Sequence, residues 1–198
     1  VNVMTKVLLF KVEVKGLENK IWRDIEITDR RTVADLAYTI LASFDAFADH
    51  LYKITYKDKI YDCYLACEDN LDGELPINAV ETKLSTIGLK FNDMLEMEYD
   101  FGSPTIFNII YLGARDFEKY NGMHYPRVVE GAGRGIINDI ANDELKAVVT
   151  DIDDRFFSDY VYLPSSGVYR PYDYRNFDVT KNNLNIRRYF WKIKRGYE

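Results

Sequence analysis

Few side chains in this 198-residue chain are of the types that carry reaction chemistry, and their spacing limits what they can do. Cys63 and Cys67 are the only cysteines, and His50 and His124 the only histidines. Zinc sites join two close cysteines to a second close pair of ligands, whereas these histidines stand 74 residues apart. On a strand, positions four apart share a face about 13 Å from each other, too far for one ion. No metal or cofactor is expected. His50 follows the end of a predicted helix, where an imidazolium interacts favourably with terminal carbonyls, so it reads as a capping or packing group beside Asp49. Trp22 and Arg23 are neighbours on a predicted strand and point to opposite faces. Arg23 has the chemistry to bind a carboxylate or phosphate; as a structural group it is expected to pair with a buried acid such as Asp100. Gly131-Ala132-Gly133-Arg134-Gly135 lacks both the Gly-x-Gly-x-x-Gly spacing and the Lys-Ser/Thr of a P-loop. It reads as a tight loop with positive φ angles, a small anion nest beside Arg134 being the functional alternative. An enzymatic reading requires the fold to gather Asp100, Asp139, Arg134 and His124.

The elements that must position these residues follow from periodicity. Leu8, Phe10, Val12 and Val14 alternate with charged residues, Gly16 to Lys20 turn the chain, and Ile21, Ile25 and Ile27 return it, which predicts a β-hairpin. Val33, Leu36, Ala37, Ile40, Leu41 and Phe44 form a helical stripe, opened by Thr32 and Asp35 in the manner of a capping box. Tyr52 to Tyr56 and Ile60 to Leu65 predict a second hairpin, and an acidic connection with a turn at Asp72-Gly73 leads to a short helical plug at Leu84, Ile87 and Leu89. Leu95 to Phe101 and Phe107 to Leu112 should pair around Gly102-Ser103-Pro104. Tyr120 to Gly135 reads as a loop, and Asn142 as the cap of a helix carrying Leu145, Val148, Val149 and Ile152. An irregular aromatic segment and a basic C-terminal helix, with Leu184, Arg188 and Trp191 on one side, complete the chain.

Composition narrows the function classes. The chain holds 16 Tyr and 11 Phe, so amphipathic rings supply much of its buried and half-buried surface. No run approaches the roughly 18 apolar residues of a membrane span, and no basic segment followed by an apolar one opens the chain. Two cysteines at this spacing suit a reducing compartment, and a cytoplasmic protein is expected. Residues 1–180 carry 20 Lys+Arg against 31 Asp+Glu, a net charge of −11, whereas residues 181–198 carry +5. Docking of the basic tail on the acidic body is the expected consequence, with a nucleic-acid contact as the alternative.

Several short patterns then coincide in order. Ile21-Trp22-Arg23, His50-Leu51-Tyr52, Tyr99-Asp100-Phe101-Gly102, Pro126 with Gly131, and Phe177-Asp178 followed by Asn183 and Ile186 give the chain a resemblance to the plasmid pRiA4b ORF-3-like family, from about Leu8 to Ile186. After Tyr-Asp-Phe-Gly the family continues with Asp, a spacer, Trp, a spacer and His, where this chain has Ser103, Pro104, Thr105, Ile106 and Phe107. The family's Pro-Pro-Glu-Asp-Val-Gly-Gly stretch is matched loosely by Ile136 to Asn142, with Asp139 its retained acid. The resemblance thus implies a polar site that is lost or altered here, and it brings no established activity. A serine-recombinase reading needs a nucleophilic serine among arginines, a setting that Ser43, Ser103, Ser165 and Ser166 lack.

The sequence therefore predicts an α+β protein, a β-grasp-like mixed sheet crossed by one main helix, with an irregular, partly helical C-terminal extension. Residues 1–115 form the core and residues 116–198 an aromatic-rich extension packed on it as part of one structural domain. The functional expectation is a non-enzymatic protein-interaction module without membrane contact, using Tyr160, Tyr162, Tyr169, Tyr172, Tyr174, Arg187, Arg188 and Trp191. Nucleic-acid binding through the basic helix and surface aromatics is the alternative.

Overall fold

A computed structural model describes residues 3–63, 76–154, 160–163 and 167–198. Cys67, the Asp72-Gly73 turn, Ser165 and Ser166 lie outside them. The alternation of apolar and charged residues in the first two strands produces the hairpin: β1 (Lys6–Val14) pairs antiparallel with β2 (Trp22–Thr28), Phe10 opposite Ile25 and Val12 opposite Arg23. The helical stripe forms α1 (Val33–Ser43), and its capping box is complete: Asp35 N–H donates to Thr32 Oγ1 (3.0 Å) and Thr32 N–H to Asp35 Oδ2 (3.1 Å).

After α1 come β3 (Tyr52–Tyr56), β4 (Lys59–Asp62), β5 (Ile77–Asn78), a 3-10 turn at Leu84–Thr86, β6 (Met94–Tyr99) and β7 (Thr105–Asp116). The remainder supplies β8 (Arg127–Ala132), α2 (Asn142–Asp154), β9 (Tyr160–Leu163), β10 (Val168–Pro171) and α3 (Val179–Tyr197). Eight strands form one mixed sheet, ordered β5-β4-β3-β6-β7-β1-β2-β8, in which β4 and β5 run parallel and the other neighbours antiparallel; β9 and β10 form a separate hairpin. Both sides of β1 take antiparallel partners.

One sheet face is apolar. The other carries ion pairs such as Lys11–Asp24 (3.9 Å) and Lys53–Glu98 (3.3 Å). α1 lies on the apolar face and is buried along its whole length because α3 covers its far side. Ile186, Phe190, Ile193 and Tyr197, at helical spacing, form the docking stripe of α3, each contributing about 1.5–3 kcal/mol of hydrophobic burial. Tyr197 stacks on Tyr38 (ring centroids 5.5 Å apart), and Lys194 bonds Asp35 at 2.9 Å. The basic tail thus docks on the body, but mainly through apolar surface, leaving Arg187, Arg188, Lys192 and Arg195 exposed.

Three local readings change. Residues 127–132 form an edge strand rather than part of a loop, because their order comes from distant partners. Arg127 and Arg115 both bond the buried Glu26, and the Asn183 side chain accepts from Val128 N–H (2.8 Å) and donates to its carbonyl (2.9 Å). The aromatic segment contains the β9–β10 hairpin. The Asn142 side chain bonds the backbone of Ile106 on β7 and of Lys15 just past β1 instead of capping α2.

Candidate ligand-binding site

Arg23 leaves β2 for the interior, where it is 1% exposed. Its Nε donates to Ser43 O (3.2 Å) and its Nη1 to Trp22 O (2.9 Å) and Ala132 O (2.8 Å). The guanidinium is flanked by the rings of Phe44 and Phe177, 4.6 and 4.4 Å from their centroids. The expected pairing with Asp100 is absent: among the described residues no carboxylate forms an ion pair with Arg23, and Asp100 turns its Oδ1 to the amides of Gly102 and Ser103 (both 3.2 Å). Loss of hydration lowers the Arg23 pKa to about 10, partly opposed by the field of Asp45, so it stays charged at neutral pH. Its Nη2 makes no hydrogen bond to any described residue.

The glycine-rich run sets this geometry by close approach. A Cβ on Gly131 would lie 2.7 Å from Trp22 O and 2.9 Å from Phe177 Cζ, and one on Gly133, at φ +75°, would lie 2.1 Å from Lys20 O. Arg134 N–H donates to Tyr174 O, so the run is a packed turn and not an anion nest. Arg134's side chain nevertheless lines, with Arg23, Asp45, Phe177, Lys181 and Asn182, a cavity of about 800 Å³. Asn182 Nδ2 donates to Ser43 O (2.8 Å), which fixes the amide orientation and leaves its buried Oδ1 without a donor.

A second cluster lies nearby. His50 Nε2 is 2.8 Å from Asp139 Oδ1 and 3.5 Å from carboxylate oxygens of both Asp49 and Asp100. Asp100 and Asp139 hold left-handed φ angles of 65° and 67°, which Asp tolerates better than most residues. The Asp139 hydrogen bond, with Asp100 and Asp49 behind it, holds the His50 pKa above its ordinary value against the effect of burial. Ligand atoms of His50, Asp100 and Asp139 lie within 4.8 Å of one another, near enough to share one cation, although the imidazole–carboxylate bond already accounts for their proximity. His50 thus has partners that the sequence did not reveal.

The sequence-derived candidates separate. Asp100 and Asp139 meet, but with His50 rather than with His124, which is exposed between β7 and β8, or Arg134, which faces the Arg23 cavity. Tyr172 and Tyr174 are buried, bonding Gly135 O and Asp153. Tyr160 and Tyr169 are exposed on the hairpin, and Tyr162 lies on β9. Arg187, Arg188 and Trp191 are exposed on α3. Cys63 is buried. Lys181, Asn182 and Asp45 escaped the sequence reading; the available signal was Asn182, a polar residue at helical spacing from Ile186 and Ile193.

The architecture defines an α+β protein in which a mixed sheet and two stacked helices enclose a buried arginine beside a polar cavity. The plasmid pRiA4b ORF-3-like family model matches residues 6–181, and the chain belongs to that family. A solved structure of a protein of unknown function from Methanosarcina mazei Go1 is similar with a TM-score of 0.69 and 19% identity, covering 90% of this chain and 98% of that chain. A search of curated proteins gave no match. Among the described residues, no helix is long and apolar enough to cross a membrane.

Proposed function

We propose that this protein is a non-enzymatic interaction module on a β-grasp-like scaffold, and that it recognises an oxyanion-bearing ligand in the Arg23 cavity. The observation that carries this reading is a charged guanidinium, 1% exposed, with no carboxylate among the described residues in ion-pair contact and with Nη2 unbonded to any of them. Burying a charge is costly unless it is paired, and an oxyanion supplies the missing acceptor. Lys181 and Arg134, exposed on the rim, add positive charge. The β1–β2 hairpin leading into α1 across the sheet supports the scaffold description.

Calorimetric titration with acetate and with inorganic phosphate at low ionic strength tests the reading. Saturable binding, weakened about tenfold in Lys181→Ala, is expected. Heat no larger than that of chloride overturns it. The exposed cations and Trp191 of α3 favour nucleic acid as a second reading; it requires binding that weakens steeply with salt.

A further inference from the structure

The Arg23 cavity does not end at its polar wall. A second cavity of about 570 Å³ adjoins it and shares Asp45, Phe47 and Asn185. It carries fewer charges: Ala42, Ala46, Ala48, Tyr189 and Ile193 contribute to its lining, and Lys192 is its one charged residue besides the shared Asp45. The three alanines leave room for another molecule's side chain. Phe47 stands between the two spaces, 62% exposed, with its amide bonded to Asn138 Oδ1 (2.8 Å) and with Asp45 and Ala48 at φ 58° on either side.

We infer that the two cavities form one site for the carboxy-terminal residue of a partner polypeptide, its carboxylate on Arg23, Lys181 and Arg134 and its apolar side chain in the alanine-lined space. The inference rests on the oxyanion reading above and specifies its ligand. Charge favours a monoanion: the polar cavity carries three cations (Arg23, Arg134, Lys181) and two carboxylates (Asp45, Asp178), a balance of +1 that a carboxylate neutralises and a phosphate dianion reverses. Hydrogen bonding favours a ligand that donates as well as accepts: the side-chain amides of Asn176 and Asn185, which also line the cavity, can accept the N–H beside a terminal carboxylate, which inorganic anions do not offer. The exposed position of Phe47, where the cavities join, leaves a way out for the preceding residues.

Fluorescence polarisation with a labelled pentapeptide ending in leucine tests the inference, compared with its carboxy-terminal amide, the same peptide ending in serine, and unlabelled N-acetyl-leucine as competitor. The leucine acid should bind at least tenfold more tightly than either variant peptide and outbind N-acetyl-leucine. Tyr189→Asp, at a partly exposed helix position, places a negative charge beside the apolar space; it should remove the leucine preference while acetate binding persists. If acetate binds but leucine confers no advantage over serine, the inference falls and the oxyanion reading stands. If N-acetyl-leucine matches the peptide, the ligand is a small apolar acid and the polypeptide is ruled out. If neither acetate nor peptide binds, the oxyanion reading itself fails.

Discussion

Arg23 combines two roles that are usually separate: Nε and Nη1 of its guanidinium hold three carbonyls of the fold, while Nη2 stays without a bond to any described residue and the side chain lines a cavity. Arg23→Met should therefore leave those carbonyls short of donors and cost about 3 kcal/mol or more, read by urea unfolding; a loss below about 1 kcal/mol would contradict the geometry. Gly131→Ala attacks the same spot through sterics, since its Cβ would meet Trp22 O at 2.7 Å. A loss of about 2 kcal/mol is expected, and a neutral result would show that the strands separate easily there. The Arg23–Asp100 pairing suggested by the sequence fails for a physical reason: Asp100 sits at a left-handed turn where nearby amides satisfy one oxygen and His50 faces the other.

The connections between elements depend on a few side chains acting across long sequence separations. Asn183 of α3 satisfies both backbone groups of Val128 on β8, so Asn183→Ala should cost about 1–2 kcal/mol and speed hydrogen exchange at the Val128 amide while leaving the β1 amides protected. His50 and Asp139 tie the loop after α1 to the segment before α2. Because partners raise the folded pKa of His50 above its unfolded value of about 6.5, the tie is fully present below that pH and is lost as pH rises through the folded value. Asp139→Asn, which keeps a residue tolerant of left-handed φ, should thus be less stable than the parent near pH 5.5 and indistinguishable from it near pH 9. A difference that grows with pH would reverse the assignment.

Across the whole molecule, the layers follow from apolar patterning, whereas the site does not. The β1–β2 hairpin, the capped α1 and the strands β3, β6 and β7 were legible because each carries its own periodicity, and the C-terminal helix announced itself by its charge. β8 was not, since its order comes from Glu26 and Asn183, and no local pattern reports a partner 55 residues away. The cavity was invisible for the same reason: Arg23 on β2, Arg134 just past β8 and Lys181 on α3 are brought together by strand pairing and by the docking of α3. That docking is chiefly apolar, so Phe190→Ala should destabilise the protein by about 3–5 kcal/mol, and Lys194→Ala by about 1 kcal/mol. Thermal unfolding of the two variants checks the order. The central claim, that Arg23 awaits an oxyanion, is tested most directly by nitrogen-15 NMR of the guanidinium groups during acetate titration. The Nε and Nη2 signals of Arg23 should shift saturably while those of the exposed Arg187 and Arg188 stay in place. An unchanged Arg23, with only the surface arginines moving in proportion to added salt, would contradict it.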